Sequence, residues 1–139
     1  MIARDLMTPD PMAVSPQATI TEAWEIMREA EIRHLPVIDD GVLVGMVSDR
    51  DLARLGFARL IAAEGADALR RELDTRVGTV MSPDVVGIEP ETDVGEIVEL
   101  LLEHKIGALP VVDRSTDTVV GIVSYVDVLR ALRGTLGEE

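Results

Sequence analysis

The chain contains no cysteine, which rules out a disulfide framework, a thiolate nucleophile and any cysteine-based zinc site. It has one Phe, one Tyr and one Trp in 139 residues. Stacking platforms for nucleic-acid bases are therefore nearly absent, and the core must be built from Val, Leu, Ile, Ala and Met. The only histidines, His34 and His104, fall at different positions of an internal repeat described below, so they offer neither a Ser-His-Asp relay nor a histidine-rich metal centre. Basic residues are outnumbered, 13 against 26 acidic ones, for a net charge of -13. Such a surface repels phosphate backbones and anionic lipid, so neither nucleic acid nor membrane is an expected partner. No stretch approaches the roughly 18 uninterrupted apolar residues of a membrane helix. The opening "MIARDLMTPDP" also lacks an apolar signal core. A soluble, cytoplasmic protein is expected.

What is abundant is aliphatic residue: 47% of the chain is hydrophobic, enough for one domain or two small units sharing a core. The sequence is also duplicated. A shift of 74 positions superposes Met7, Pro9, Asp10, Pro16, Glu22, Glu25, Glu29, Ile32, Leu35, Pro36, Val37 and Asp39 on identical residues. Beyond Asp39 the second copy has a longer turn, and a shift of 76 then matches Val44, Gly45, Val47, Ser48, Asp51 and Arg54.

Each copy changes its hydrophobic period in the same order. Ile20, Ala23, Trp24 and Met27, and likewise Val94, Ile97, Val98 and Leu101, recur at helical spacing and predict an amphipathic helix with Glu on its outer face. "LPVID" and "VLVGMVS", joined by "DDG", predict a hairpin whose Gly takes the left-handed position. "LPVVD" and "TVVGIVS" do the same around "RSTD". A second helix is predicted to start at each Ser, in "SDRDLARL" and "SYVDVLRAL". A hairpin with two helices cannot cover its own apolar sheet face, so two copies are expected to pack about a pseudo-twofold axis. The expected fold is α+β, with two tandem β-α-β-β-α repeats. The boundaries read as repeat 1 over 1–56, a helical linker over 57–76, repeat 2 over 77–133 and a tail over 134–139.

The ordered pattern "IRHLPVIDDGVLVGMVSDRDL" followed by "IGALPVVDRSTDTVVGIVSYVDVL" resembles the cystathionine-β-synthase (CBS) domain, and the tandem resembles a CBS pair, or Bateman module. That resemblance implies a regulatory module rather than an enzyme. It implies an adenosyl ligand (AMP, ADP, ATP or S-adenosylmethionine) held in clefts between the repeats, and a homodimer. It also implies that the Asp of Ser-x-x-Asp holds the ribose, while the purine lies between the leading segment and the strand before "LPV". The family pattern groups Met12, Ile32, Arg33 and His34 with Ile122, Ser124 and Asp127, and groups Thr79, Val86, Ile106 and Ala108 with Met46, Ser48 and Asp51. By the same analogy the leading segments contribute Asp5, Pro11 and Met12 in one copy and Thr79, Val85 and Val86 in the other. No metal is required by any motif, although Mg²⁺ can accompany a triphosphate.

The residue chemistry fits this in part. A carboxylate suits the vicinal hydroxyls of ribose, and a helix start with a Ser hydroxyl suits a phosphate. The same Ser48-x-x-Asp51 and Ser124-x-x-Asp127 spacing is also that of a capping box, and capping and ligand binding can coexist. Arg33, His34 and Arg50 supply local cations that a phosphate needs in so acidic a chain. Their second-copy counterparts are Gly107, Ala108 and Val126, so two unequal sites are expected. The alternative to sensing is a docking module for a target enzyme or transporter, using apolar helix faces such as Leu55, Phe57, Leu60 and Ile61, or Val128, Leu129 and Leu132.

Overall fold

Local signals mark the ends of most elements. The computed structural model describes residues 1–54 and 65–136. Helix α1 spans Ala3–Leu6 and is followed by the short strand β1, Thr8–Pro9. Helix α2, Ile20–Ala30, starts where the Thr19 hydroxyl accepts from the Glu22 amide at 3.1 Å. It stops where Glu31 turns left-handed (φ 56°) and the Ile32 amide reaches back to the Met27 carbonyl. Strands β2, His34–Asp39, and β3, Val42–Ser48, meet at Asp40 and Gly41, both with positive φ, the turn whose twist matches a hairpin. Helix α3 follows at once and is described over residues 49–54. Helix α4, Ala66–Leu73, and one 3-10 turn, Val77–Thr79, lead into the second copy. There α5, Val94–His104, is capped by Asp93 on the Gly95 amide and closed by left-handed Lys105. Strands β4, Ala108–Asp113, and β5, Thr118–Ser124, precede α6, Tyr125–Leu136. The expected mixed α/β class, with small antiparallel sheets and helices, is what forms. Leu55, Phe57, Leu60 and Ile61, and part of the expected 57–76 linker, lie outside the described residues.

The chain divides into a continuous unit, Met12–Val85, and a split unit, Met1–Pro11 with Val86–Glu139. The two are built alike. In the continuous unit β2 and β3 pair from His34↔Ser48 to Asp39↔Val42, with an irregularity between Val37 and Ile38. In the split unit β4 and β5 pair from Ala108↔Ser124 to Asp113↔Thr118, with the irregularity between Val111 and Val112. On one side of each hairpin an extended residue joins in parallel, Val14 beside Val37 and Ile88 beside Val111. On the other side the leading segment of the opposite copy joins. Thr8 and Pro9 pair with Ile122 and Gly121, whereas Ser82 exchanges two backbone bonds with Met46, at 2.8 and 3.0 Å. Room for this comes from glycine: a Cβ on Gly45 would stand 2.5 Å from the Met81 sulfur and 2.9 Å from the Ser82 carbonyl oxygen, and one on Gly121 would strike Met7.

The cores correspond position by position. Val14, Ala23, Met27, Leu35, Val37, Val47 and Leu52 are buried in the continuous unit. Ile88, Ile97, Leu101, Leu109, Val111, Val123 and Val128 take the same places in the split one. Two sequence expectations need correction. Trp24 is 49% exposed, because the buried line of α2 runs through Ala23 and Met27 and Trp24 lies about 100° around from Ala23. Val128 is in the core rather than on a free face, because it faces β5 while Leu129 and Leu132 look outward.

Candidate ligand site

In each unit the strand before "LPV" and the start of the following helix are locked side by side. His34 lies opposite Ser48 in register, and the Asp49 amide donates to the Arg33 carbonyl at 2.9 Å. Ala108 lies opposite Ser124, and the Tyr125 amide donates to the Gly107 carbonyl at 3.0 Å. The pairing carries the candidate residues of one copy to one edge: Ile32, Arg33, His34, Ser48, Arg50 and Asp51 in the continuous unit, and Ile106, Ala108, Ile122, Ser124 and Asp127 in the split unit.

At both edges the Ser-x-x-Asp element forms a reciprocal capping box. The Ser48 amide donates to Asp51 Oδ2 at 2.9 Å, and the Asp51 amide donates to Ser48 Oγ at 3.1 Å. In the other copy the Ser124 amide and hydroxyl both donate to Asp127 Oδ2, at 2.8 and 3.1 Å, and the Asp127 amide donates back at 3.3 Å. The second carboxylate oxygen has a different neighbour. Asp51 Oδ1 lies 3.7 Å from Arg54, and Asp127 Oδ1 lies 3.7 Å from Arg130. These separations exceed hydrogen-bond length, so Oδ1 keeps acceptor capacity while Oδ2 holds the cap. The Asp side chains are 19% and 16% exposed, within reach of a solute.

The other candidates are more dispersed in role. Ile32 is half-buried against its unit's core, Ile122 is half-buried in β5, and Ala108 is buried. Met12 and Ile106 are exposed. Val86 packs on the split unit's core. The Thr79 hydroxyl already donates to the Arg76 carbonyl at 2.8 Å, and the Asp5 carboxylate accepts from the Ile2 amide at 3.1 Å as the cap of α1. Arg33 and Arg50 are exposed, while His34 is half-buried. Burial holds the His34 imidazole below its ordinary value of 6.5, against the upward pull of Asp49 and Asp51, and Arg33 and Arg50 push it the same way as burial. Arg54 and Arg130, which face the two carboxylates, were not among the expected site residues. Their signal was the i, i+3 spacing in "DLAR" and "DVLR". Asp49 was also missed, because only the fold brings it to His34. Among the described residues no group of three or more potential ligands could hold a metal, and no helix is long and apolar enough to cross a membrane.

The sequence profile of the CBS domain matches this chain twice, over residues 3–57 and 77–134. The chain belongs to the CBS domain family. One CBS relative, the CBS domain-containing protein YhcV of Bacillus subtilis (strain 168), is 36% identical over 124 residues, covering 89% of this chain and 80% of YhcV. Two other curated relatives are spanned over only 65% and 23% of their lengths. Among solved CBS structures, that of CBSX2 in complex with AMP is 34% identical with a TM-score of 0.77, covering 96% of this chain and 97% of the other. The CBS domain pair of protein MJ0100, in complex with 5′-methylthioadenosine and S-adenosyl-L-methionine, is 25% identical with a TM-score of 0.80, covering 97% and 98%. The tandem CBS pair expected from the repeat is thus the family of this chain.

Proposed function

We propose that this CBS pair is a regulatory sensor for an adenosyl ligand, with AMP, ADP, ATP or S-adenosylmethionine as the candidates. Asp127 clamps the ribose through Oδ1, and Ser124 with the start of α6 lies near the phosphate. Arg33 and His34 provide counter-charge, and Met12, Ile32 and Ile122 give the purine apolar contact. The site with Asp51, Ser48, Thr79, Val86, Ile106 and Ala108 takes a less charged ligand. The observation that carries the reading is the divided labour of the two Asp carboxylates, in which Oδ2 caps the helix and Oδ1 retains acceptor capacity. The adenosyl compounds bound by CBSX2 and by the MJ0100 pair support it. On this reading the module works in the cytoplasm as a homodimer, with repeats over 1–56 and 77–133 flanking a linker over 57–76, and it passes ligand occupancy to a target protein. Mg²⁺ enters only alongside a triphosphate.

The test is calorimetry and thermal shift with each adenosyl compound on wild type, Asp127→Ala and Asp127→Asn. Ligand at about a hundred times its dissociation constant should add roughly 2.7 kcal/mol to wild-type stability. Asp127→Asn retains a cap acceptor and should stay folded while losing at least about tenfold in affinity, the scale of one charge-assisted hydrogen bond. Undiminished binding in both variants would remove Asp127 from the ribose.

A docking role is favoured by one observation. Tyr125, Val126, Leu129 and Leu132 on α6 are 41%, 41%, 58% and 45% exposed, a larger apolar face than a lone surface helix needs. Absence of any thermal shift across the ligand panel would favour that reading over sensing.

A further inference from the structure

Five described residues other than glycine adopt a left-handed backbone. Four of them fall into pairs that local structure explains: Glu31 and Lys105 close α2 and α5, and Asp40 and Asp117 lie in the two hairpin turns. The fifth, Asp10 (φ 47°), has no companion. Its counterpart in the second copy, Asp84, is the same residue and is not left-handed. Asp10 stands where the chain passes from the first piece of the split unit, Met1–Pro11, into the continuous unit, which begins at Met12. A residue with a Cβ is held there in a conformation that costs more than an extended one. The next three residues, Pro11, Met12 and Ala13, make no backbone hydrogen bond among the described residues.

The segment ahead of this junction seats on the split unit through contacts of its own. Ala3 is fully buried, and Leu6 and Met7 pack on that unit's core. Its backbone bonds outside itself run to Pro90, Thr92 and Val94 and, through β1, to β5, beside which it forms the outer strand of the sheet. These contacts are identical whether the segment comes from the same chain or from a second copy; only the path through Asp10 to Ala13 differs. We propose that Met1–Pro11 is an exchangeable strand: at high protein concentration it leaves its own β5 and pairs with β5 of a second copy of this chain. Asp10 is the hinge, left-handed when the segment folds back and extended when it crosses. A strand edge accepts an identical segment from either source, which makes exchange a low-cost route to a dimer. The sheet that carries Ile122 is then completed by the partner. This goes beyond the homodimer of the sensor reading and needs no ligand, so its failure would leave adenosyl binding untouched.

The absence of cysteine makes exchange directly readable. Thr8 and Ile122 lie opposite one another in antiparallel register. Opposed residues have Cα atoms about 4.5–5.5 Å apart, within disulfide reach. Full-length Thr8→Cys, isotopically labelled, and full-length Ile122→Cys are unfolded and refolded together at rising concentration, then oxidised, and the linked species are weighed by mass spectrometry. Thr8→Cys mixed with Glu103→Cys, at an exposed position of α5, measures chance pairing. A double variant with both Thr8→Cys and Ile122→Cys, oxidised when dilute, should close within one chain and so verifies folding and register. The expected result is a heterodimer joined between positions 8 and 122 at least about tenfold above the control, because paired strands hold the two thiols at a high effective concentration. Asp10→Val should raise its yield and Asp10→Gly lower it, each by about threefold, the scale of one backbone substitution at a left-handed position. A heterodimer no more abundant than the control, while the double variant closes within its own chain, would overturn the proposal. So would exchange that ignores both Asp10 variants, or a double variant that never closes, since β1 would then not face β5.

Discussion

The continuous and split units are the same scaffold with different rims. Leu35 and Leu109, Val37 and Val111, and Val47 and Val123 are all fully buried, and the capping boxes at Ser48 and Ser124 use the same atoms. At the edges the copies part: Arg33, His34 and Arg50 stand where Gly107, Ala108 and Val126 do. Positions whose side chains meet other side chains in a packed interior admit little variation, since a missing methylene costs both burial and a cavity. Exposed positions such as those of Arg33 and Arg50 carry no such penalty and are where two copies of one unit can acquire different chemistry.

The comparison can be broken most forcefully in the interior. Leu35→Ala and Leu109→Ala should each lower stability by about 2–5 kcal/mol in denaturant unfolding, because both side chains are fully buried at the same point of the same hairpin. A large effect at one and a negligible effect at the other would show that the equivalence is superficial. Gly45→Ala and Gly121→Ala come next, at about 1–3 kcal/mol each. Gly45 should be the more sensitive, because its added Cβ meets the Ser82 carbonyl oxygen of the backbone at 2.9 Å, whereas the atoms closest to Gly121 all belong to the Met7 side chain, which can move. Thermal unfolding of the two variants side by side checks the order. The smallest effect sharpens the difference in rim. His34 is held below its ordinary value of 6.5, so the unfolded chain takes up a proton at higher pH than the folded one. Its contribution is intact above that ordinary value and is lost as the pH falls toward the folded-state one. His34→Gln should therefore flatten the acid side of the stability profile in this region, and Ala108→Gln should not.

Much of this was legible without coordinates because it is local. The hairpin turn at Asp40 and Gly41 and the helix starts after Ser48 and Ser124 depend on residues within four positions of one another, and the sequence states them directly. The repeat then identified the family. What stayed hidden is non-local. Nothing in "LMTPDP" says whether its strand will pair with the hairpin that follows it or with the one more than a hundred residues later, because an edge backbone accepts either. The exposure of Trp24 was missed for a related reason: helical spacing gives a stripe of apolar residues but not its centre, which only the packing partner defines. At the site, Ser-x-x-Asp was readable as a cap and as a sugar grip. In the fold Oδ2 holds the cap at both sites, while Oδ1 keeps acceptor capacity.

The pairing of Thr8 and Pro9 with Ile122 and Gly121 has a consequence for how the polypeptide is made. Ribosomes deliver residues in order, and the continuous unit is one uninterrupted stretch, Met12–Val85. It can close while the rest is still being translated. Thr8 and Pro9 are made before this unit, yet their strand partners, Gly121 and Ile122, are made after it. The edge backbone at Thr8 and Pro9 therefore stays unmatched until β5 has been added, and the β4–β5 hairpin completes a sheet whose third strand was made long before it.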